Sequence, residues 1–303
     1  ETGKVALESG KSLEGSNFGT RWSPNGRYLA HIRIADKNTD NPIRLVVQDI
    51  ETGEKYQLAA NTLRVSSYSW APDGNSILVI AREIKRLQEK DYRGGVFMVN
   101  VKTGQVDQIF LLSDHEYNTP EDDSPPLSNI KYASDGKSFY YLFQKERLVK
   151  HNMETGEDKI LYEYPDFTPY ILDLSPNSKN LLFGLKFPDD QKSQLVTIPA
   201  EGGREKVVCT AQDAKNITWA KFSPDGTYIY FVEILEGTKS NLWRVPAEGG
   251  NPEKVWSPEN RVEIYDIHPD GNQVAFSTRE RKTEVRVMEN LNNEIARVFN
   301  ENE

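Results

Sequence analysis

The sequence predicts an all-β fold, a six-bladed β-propeller with four antiparallel strands per blade. Three observations predict it. A proline-containing turn signature recurs six times, a second turn signature alternates with it, and successive copies of the first lie 42 to 62 residues apart. Repeats of this length mark architectures in which one supersecondary unit stacks on the next. Four short strands per repeat select a propeller over a helical solenoid.

The first signature reads Trp22-Ser23-Pro24-Asn25-Gly26, Trp70-Ala71-Pro72-Asp73-Gly74 and Tyr132-Ala133-Ser134-Asp135-Gly136. It continues as Leu174-Ser175-Pro176-Asn177-Ser178, Phe222-Ser223-Pro224-Asp225-Gly226 and Ile267-His268-Pro269-Asp270-Gly271. Its chemistry is that of a tight turn: proline presets φ, Asp or Asn bonds its own backbone, and glycine accepts positive φ. Repeat 4 places Ser178 where glycine stands elsewhere, so a strained or reshaped turn is expected there. Each copy joins two β-rich runs, such as Ile217–Phe222 and Tyr228–Val232.

The second signature follows as Glu51-Thr52-Gly53, Lys102-Thr103-Gly104, Glu154-Thr155-Gly156, Glu201-Gly202-Gly203 and Glu248-Gly249-Gly250, with a degraded copy near Leu291-Asn292-Asn293. Each repeat therefore reads as strand A, turn, strand B, variable loop, strand C, turn, strand D. The sixth repeat is expected to own all four strands, with residues 294–299 as its D strand. Residues 1–16 are expected as a tail, with Glu1-Thr2-Gly3 as an expression scar, and 17–303 as a single propeller. The alternative is a native strand over Lys4–Leu7 that adds to an edge.

Aligning the six A strands on their turns gives two apolar columns. One is Trp22, Trp70, Tyr132, Leu174, Phe222 and Ile267; the other is Thr20, Tyr68, Ile130, Leu172, Ala220 and Tyr265. Period-2 alternation places both on one buried face. Between them runs a polar column: Arg21, Ser69, Lys131, Asp173, Lys221 and Asp266. These are expected to line the central channel as a water-wetted belt in which carboxylates lie between cations, a structural rather than catalytic feature.

Short, uniform A–B and C–D turns belong to one face of such a fold, and long, varied B–C and D–A loops to the other. Binding concentrates on varied loops held by a rigid scaffold. Two insertions flank the second repeat. Residues 82–95 are rich in Arg and Lys, with Ile84 and Leu87 spaced for a short helix that Gly94-Gly95 would end. Residues 113–128 are acidic and include Tyr117; mutual attraction of two solvated loops explains the pair equally well. Residues 162–170 carry Tyr164, Phe167 and Tyr170 between prolines, a density of aromatics suited to binding anchors. Arg93, Tyr117, Tyr164, Phe167 and Tyr170 are the candidate partner-binding residues.

The chain of 303 residues is 27% charged with net charge −9, which disfavours nucleic acid as a partner. No run of about 18 apolar residues exists to insert in a membrane. The single cysteine, Cys209, offers neither a disulfide nor a metal cluster, and no cofactor is expected. No nucleophile elbow, zinc helix motif or phosphate loop occurs. Of His31, His115, His151 and His268, the last occupies a turn position.

The run Phe222-Ser223-Pro224-Asp225-Gly226-Thr227-Tyr228-Ile229-Tyr230-Phe231, followed by Leu242-Trp243-Arg244-Val245, resembles the WD40-like (PD40) repeat of TolB-like propellers. The resemblance spans nearly all of residues 17–303 and implies a six-bladed fold. The propeller of prolyl-oligopeptidase-like enzymes is similar too, but no stretch matches their hydrolase domain or the α/β domain of TolB. The resemblance, with the expected scar at the N-terminus, implies a periplasmic or extracellular protein, and a monomer is expected. The leading expectation is a non-catalytic protein- or peptide-binding propeller. The alternatives are a lyase or lactonase with a channel metal, and a ligand-sensing or gating domain of a longer protein.

Overall fold

A computed structural model of the chain describes residues 5–9, 16–34, 43–89, 91, 94–112, 127–144, 146–163, 168–169, 172–186, 193–210, 217–235, 239–258, 261–279 and 284–289. It is all-β, built from antiparallel sheets, five of four strands and one of five, with one short helix among the described residues. The chain divides into two compact units, residues 23–165 and residues 1–22 together with 166–303.

In the unit of residues 23–165, the second repeat is one sheet of Leu63–Trp70, Ser76–Glu83, Gly94–Asn100 and Val106–Leu111. The third is Leu127–Tyr132, Ser138–Phe143, Arg147–Asn152 and Asp158–Glu163. Burial follows strand position. The B strand Ser76–Glu83 is buried on both faces along its interior, as its near-continuous run of Ile, Leu and Val requires. The D strand Asp158–Glu163 is half-buried or exposed throughout. Sheets face one another across apolar layers. Leu78, Ile80 and Val96 of repeat 2 pack with Ile130, Tyr132, Phe139 and Tyr141 of repeat 3.

The helix expected in the 82–95 insertion spans Ile84–Gln88. Gly94-Gly95 does not end it; both glycines open the C strand. Gly95 is required there by close approach, since a Cβ would sit 2.4 Å from the Phe110 carbonyl oxygen of the neighbouring strand.

In the other unit, repeat 5 is a regular sheet of Ile217–Phe222, Tyr228–Ile234, Ser240–Pro246 and Glu253–Trp256. Repeat 4 differs. Its first strand is broken, so Thr168–Pro169 and Asp173–Leu174 both pair with Asn180–Lys186. A proline cannot donate to the ladder, and two lie in the stretch 165–169.

Repeat 6 corrects the expectation about the termini. Its strands Arg261–Ile267, Gln273–Arg279 and Glu284–Glu289 are completed by Val5–Ser9, which pairs antiparallel with Glu284–Glu289 from Val5↔Met288 to Ser9↔Val285. Residues 1–16 are therefore not a bare tail: Val5–Ser9 supplies the fourth strand. The D strand expected at 294–299 lies outside the described residues, as does the degraded turn near Leu291. The alternative of an added N-terminal strand is the one that holds, and removal of residues 1–12 strips a sheet of its edge.

The six A–B turns are alike. The amide at the fourth turn position donates to the carbonyl of the first, from Gly26→Ser23 (2.9 Å) to Gly271→His268 (2.8 Å). Ser178 makes the same bond to Ser175 at 2.7 Å with φ +60°, beside +72° at Gly26 and +74° at Gly226. The fourth turn is thus equivalent to the others and carries the strain of a non-glycine residue in the left-handed region. Serine completes several of these turns: Ser23 Oγ donates to Asn25 Oδ1 (2.7 Å) and accepts from Tyr28 N (2.9 Å).

Candidate binding surface at the loop ends of the strands

The polar column of the A strands forms bonds that its alternating charges only partly announce. Ser69 Oγ accepts from the backbone amide of Tyr132, 3.0 Å away. Asp173 Oδ2 accepts from Phe222 N (3.0 Å), and Asp266 Oδ2 from Trp22 N (2.6 Å). In each case the acceptor of an even repeat caps an amide on the A strand of the next repeat, at the residue following that repeat's cation. Lys221 pairs with the remaining oxygen of Asp266. Asp173 and Asp266 are each only 3% exposed, so the carboxylates are enclosed rather than open to bulk water. Arg21 and Lys131 are half-buried. Both apolar columns are buried at every position. Two tyrosines of the second column differ: Tyr68 donates to the Ala30 carbonyl (2.7 Å), whereas burial holds the Tyr265 phenol well above its ordinary pKa and its oxygen has no hydrogen-bond partner among the described residues.

The described histidines serve packing. His31 is 3% exposed, and burial, with Lys55 and Arg33 nearby, pushes its pKa down to about 4. His151 stacks near Phe139 and Phe110 and lies 2.8 Å from Asp158 Oδ1 through Nδ1. His268 replaces the turn serine, with Nδ1 accepting from Asp270 N at 3.2 Å and its ring edge-on to Trp22. His115 lies outside the described residues. Among the described residues, no group of three or more His, Cys, Asp or Glu is placed to hold a metal.

Arg93, Tyr117, Tyr164, Phe167 and Tyr170 also lie outside the described residues. What the structure adds at the loop ends is a cleft that sequence reasoning missed. It has a volume of about 230 Å³ and is lined by Ile43, Arg64, Val65, Ser66, Ile80, Ala81, Arg82 and Gly94. These residues stand where the 34–43, 58–63 and 82–94 connections leave repeat 1, with strands Tyr28–Ile34, Ile43–Asp49 and Lys55–Leu58, and repeat 2. Arg64 and Arg82 face each other directly across the A–B strand pair. A bulge at Ser66 sets that register. Counted back from the turn without it, Arg64 would face Glu83, a favourable pair; the extra residue shifts it onto Arg82. Glu83 is instead engaged by Arg86, which also holds Asp91 at 2.9 Å. The short helix thus ties up two carboxylates of its own insertion. The readable signal was a recurrence: Arg64-Val65 four residues before Tyr68 matches Arg261-Val262 four before Tyr265, and Arg261 likewise faces Arg279 after a bulge.

These sheets and turns define a β-propeller with four antiparallel strands per blade. No protein-family model and no curated protein matches the sequence. Among solved structures the chain is similar to TolB from Acinetobacter baumannii (TM-score 0.64, 15% identity), covering 87% of this chain and 64% of that one. The chain thus spans just under two thirds of that TolB's length. Oligogalacturonate lyase from Vibrio parahaemolyticus is similar at TM-score 0.62 and 12% identity, over 92% of this chain and 79% of the lyase. The Cps50 (Swd1) β-propeller domain from Myceliophteria thermophila matches at TM-score 0.59 and 15% identity, over 94% and 99% of the two chains. Identities this low establish a shared fold.

Proposed function

We propose that this chain is a six-bladed, non-catalytic module that binds a protein or peptide through the loop ends of its strands. The blade count takes the five-stranded sheet of repeat 4 as one blade whose first strand is split. One observation carries the binding reading: the turn ends are short and internally satisfied, while the loop ends of repeats 1 and 2 carry a cationic cleft. Ligand sites fall where loops vary over a fixed framework. A lyase or lactonase with a channel metal needs converging His, Asp and Glu, and His31, His151 and His268 are each occupied by packing or turn contacts. A monomeric protein placed in the periplasm or at the cell surface fits the TolB likeness; no described helix is long and apolar enough to cross a membrane.

The test is a binding surface map. With a protein partner in hand, substitutions at Arg64, Tyr164 and Phe167 weaken binding by about 1 kcal/mol or more, and those at Thr103 or Glu154 leave it unchanged. The opposite pattern reverses the assignment of faces. Metal analysis of the purified protein before and after chelation, with the oligogalacturonate depolymerisation assay, decides against the lyase if both are negative.

A further inference from the structure

We infer that the cleft between the strands Leu63–Trp70 and Ser76–Glu83 receives a single carboxylate-bearing side chain of a peptide partner, held by Arg64 and Arg82. This rests on the loop-end binding reading and gives it a ligand chemistry. Three observations converge on it.

The first is the register. Arg64 and Arg82 are directly opposed, so their Cβ atoms stand about 4.5–5.5 Å apart, a separation at which like charges destabilise a strand pair. The bulge belongs to the repeat, since A–B register shifts recur in repeats 3, 5 and 6 and Arg261 faces Arg279 likewise; what is particular to Arg64 and Arg82 is that both line the cleft. The second is burial. Arg82 is 9% exposed and Arg64 is half-buried, so both guanidinium-bearing chains sit in an environment of reduced dielectric. There a charge-assisted bond to a carboxylate is stronger than at an open surface. Arg33 and Arg44 form a second opposed arginine pair at the loop end of the neighbouring sheet, which adds positive potential against the chain's net charge of −9.

The third is size and lining. About 230 Å³ falls short of the roughly 300–1,000 Å³ of small-molecule sites and suits one side chain. Ile43, Val65, Ile80 and Ala81 offer apolar walls to the methylene stem of a glutamate, while the arginines meet its head. Planar forked guanidinium groups match a carboxylate in two bonds, where lysine would offer a point charge.

The experiment uses the whole chain, isotope-labelled, and two blocked pentapeptides of alanine with a central glutamate or a central glutamine. The glutamate peptide is expected to shift backbone amide signals at residues 64–66 and 80–82 and to bind at least tenfold more tightly than the glutamine peptide. Arg64→Gln is expected to abolish that discrimination with its melting temperature unchanged or raised. Because Arg82→Gln risks the fold, Arg64→Lys serves as the second variant, retaining charge but losing at least threefold in discrimination. Equal affinity for the two peptides, with shifts still at 64–66 and 80–82, overturns the carboxylate inference and leaves the loop-end reading standing. Shifts confined to turn residues 52–53 and 102–104 overturn both. Inorganic phosphate that displaces the glutamate peptide at equal concentration overturns the peptide assignment in favour of a free oxyanion.

Discussion

The two ends of the same strands are built on different rules. At the turn ends, the recurring polar groups find partners within a few residues or on the next A strand: serine locks the turn, Asp or Asn caps it, and Ser69, Asp173 and Asp266 cap neighbouring amides. At the loop ends of repeats 1 and 2, arginine faces arginine twice. The turn ends repeat because their satisfaction is local, and any copy of the sequence re-creates it. The loop ends diverge because their connections differ in length and composition from repeat to repeat, and there like charges stand opposed across the ladder at Arg33↔Arg44 and Arg64↔Arg82.

Five measurements break or sharpen this contrast. The largest effect is expected at the turn-end belt. Asp266→Ala leaves the Lys221 ammonium and the Trp22 amide without their acceptor, and should cost about 2–4 kcal/mol by chemical denaturation. Next, Gly226→Val forces a β-branched residue to φ +74°, with about 2–3 kcal/mol lost; the added Cβ itself meets Pro176 Cδ at an ordinary 3.5 Å, so the penalty is backbone strain and not a clash.

Between the two ends, His31 gives a pH dependence. Its pKa is lowered to about 4 in the folded state and is near 6.5 in the unfolded chain, so the unfolded state binds the extra proton first. Its stabilising contribution is complete above about pH 6.5 and is lost as pH falls from there toward 4, by up to about 3 kcal/mol. In His31→Leu the slope of stability over that window should flatten relative to the parent; parallel curves would mean that the imidazole is not buried neutral.

The smallest effects have the opposite sign. Ser178→Gly relieves the left-handed strain at φ +60° and should raise stability by up to about 1 kcal/mol. Arg64→Gln removes half of an opposed like-charge pair and should change stability by no more than about 0.5 kcal/mol, upward if at all. A clear loss at Arg64 would move that residue from the loop-end class to the turn-end class.

Much of the fold was legible because its determinants are local. The turn signatures and both buried A-strand columns are written in residues whose neighbours in sequence are their neighbours in space. The polar column was legible only as a pattern of charge. Its working partners are backbone amides of the following repeat, and a backbone amide leaves no trace in the residue types. The cleft was less legible still. Arg82 reads as part of a charged insertion, but Arg64 reads as one cation among many until the register places it.

The sequence by itself determined the repeat, the strand count within it and the positive-φ turns, since propensity, alternation and turn chemistry act over two to ten residues. Tertiary structure alone decided that Val5–Ser9 completes the sheet of Arg261–Ile267, because pairing strands about 280 residues apart is a matter of which edge remains open. It also decided, through one extra residue at Ser66, that Arg64 meets Arg82 and not Glu83. A bulge is a choice between two ladders of nearly equal local energy, and the packing of one sheet on the next makes that choice.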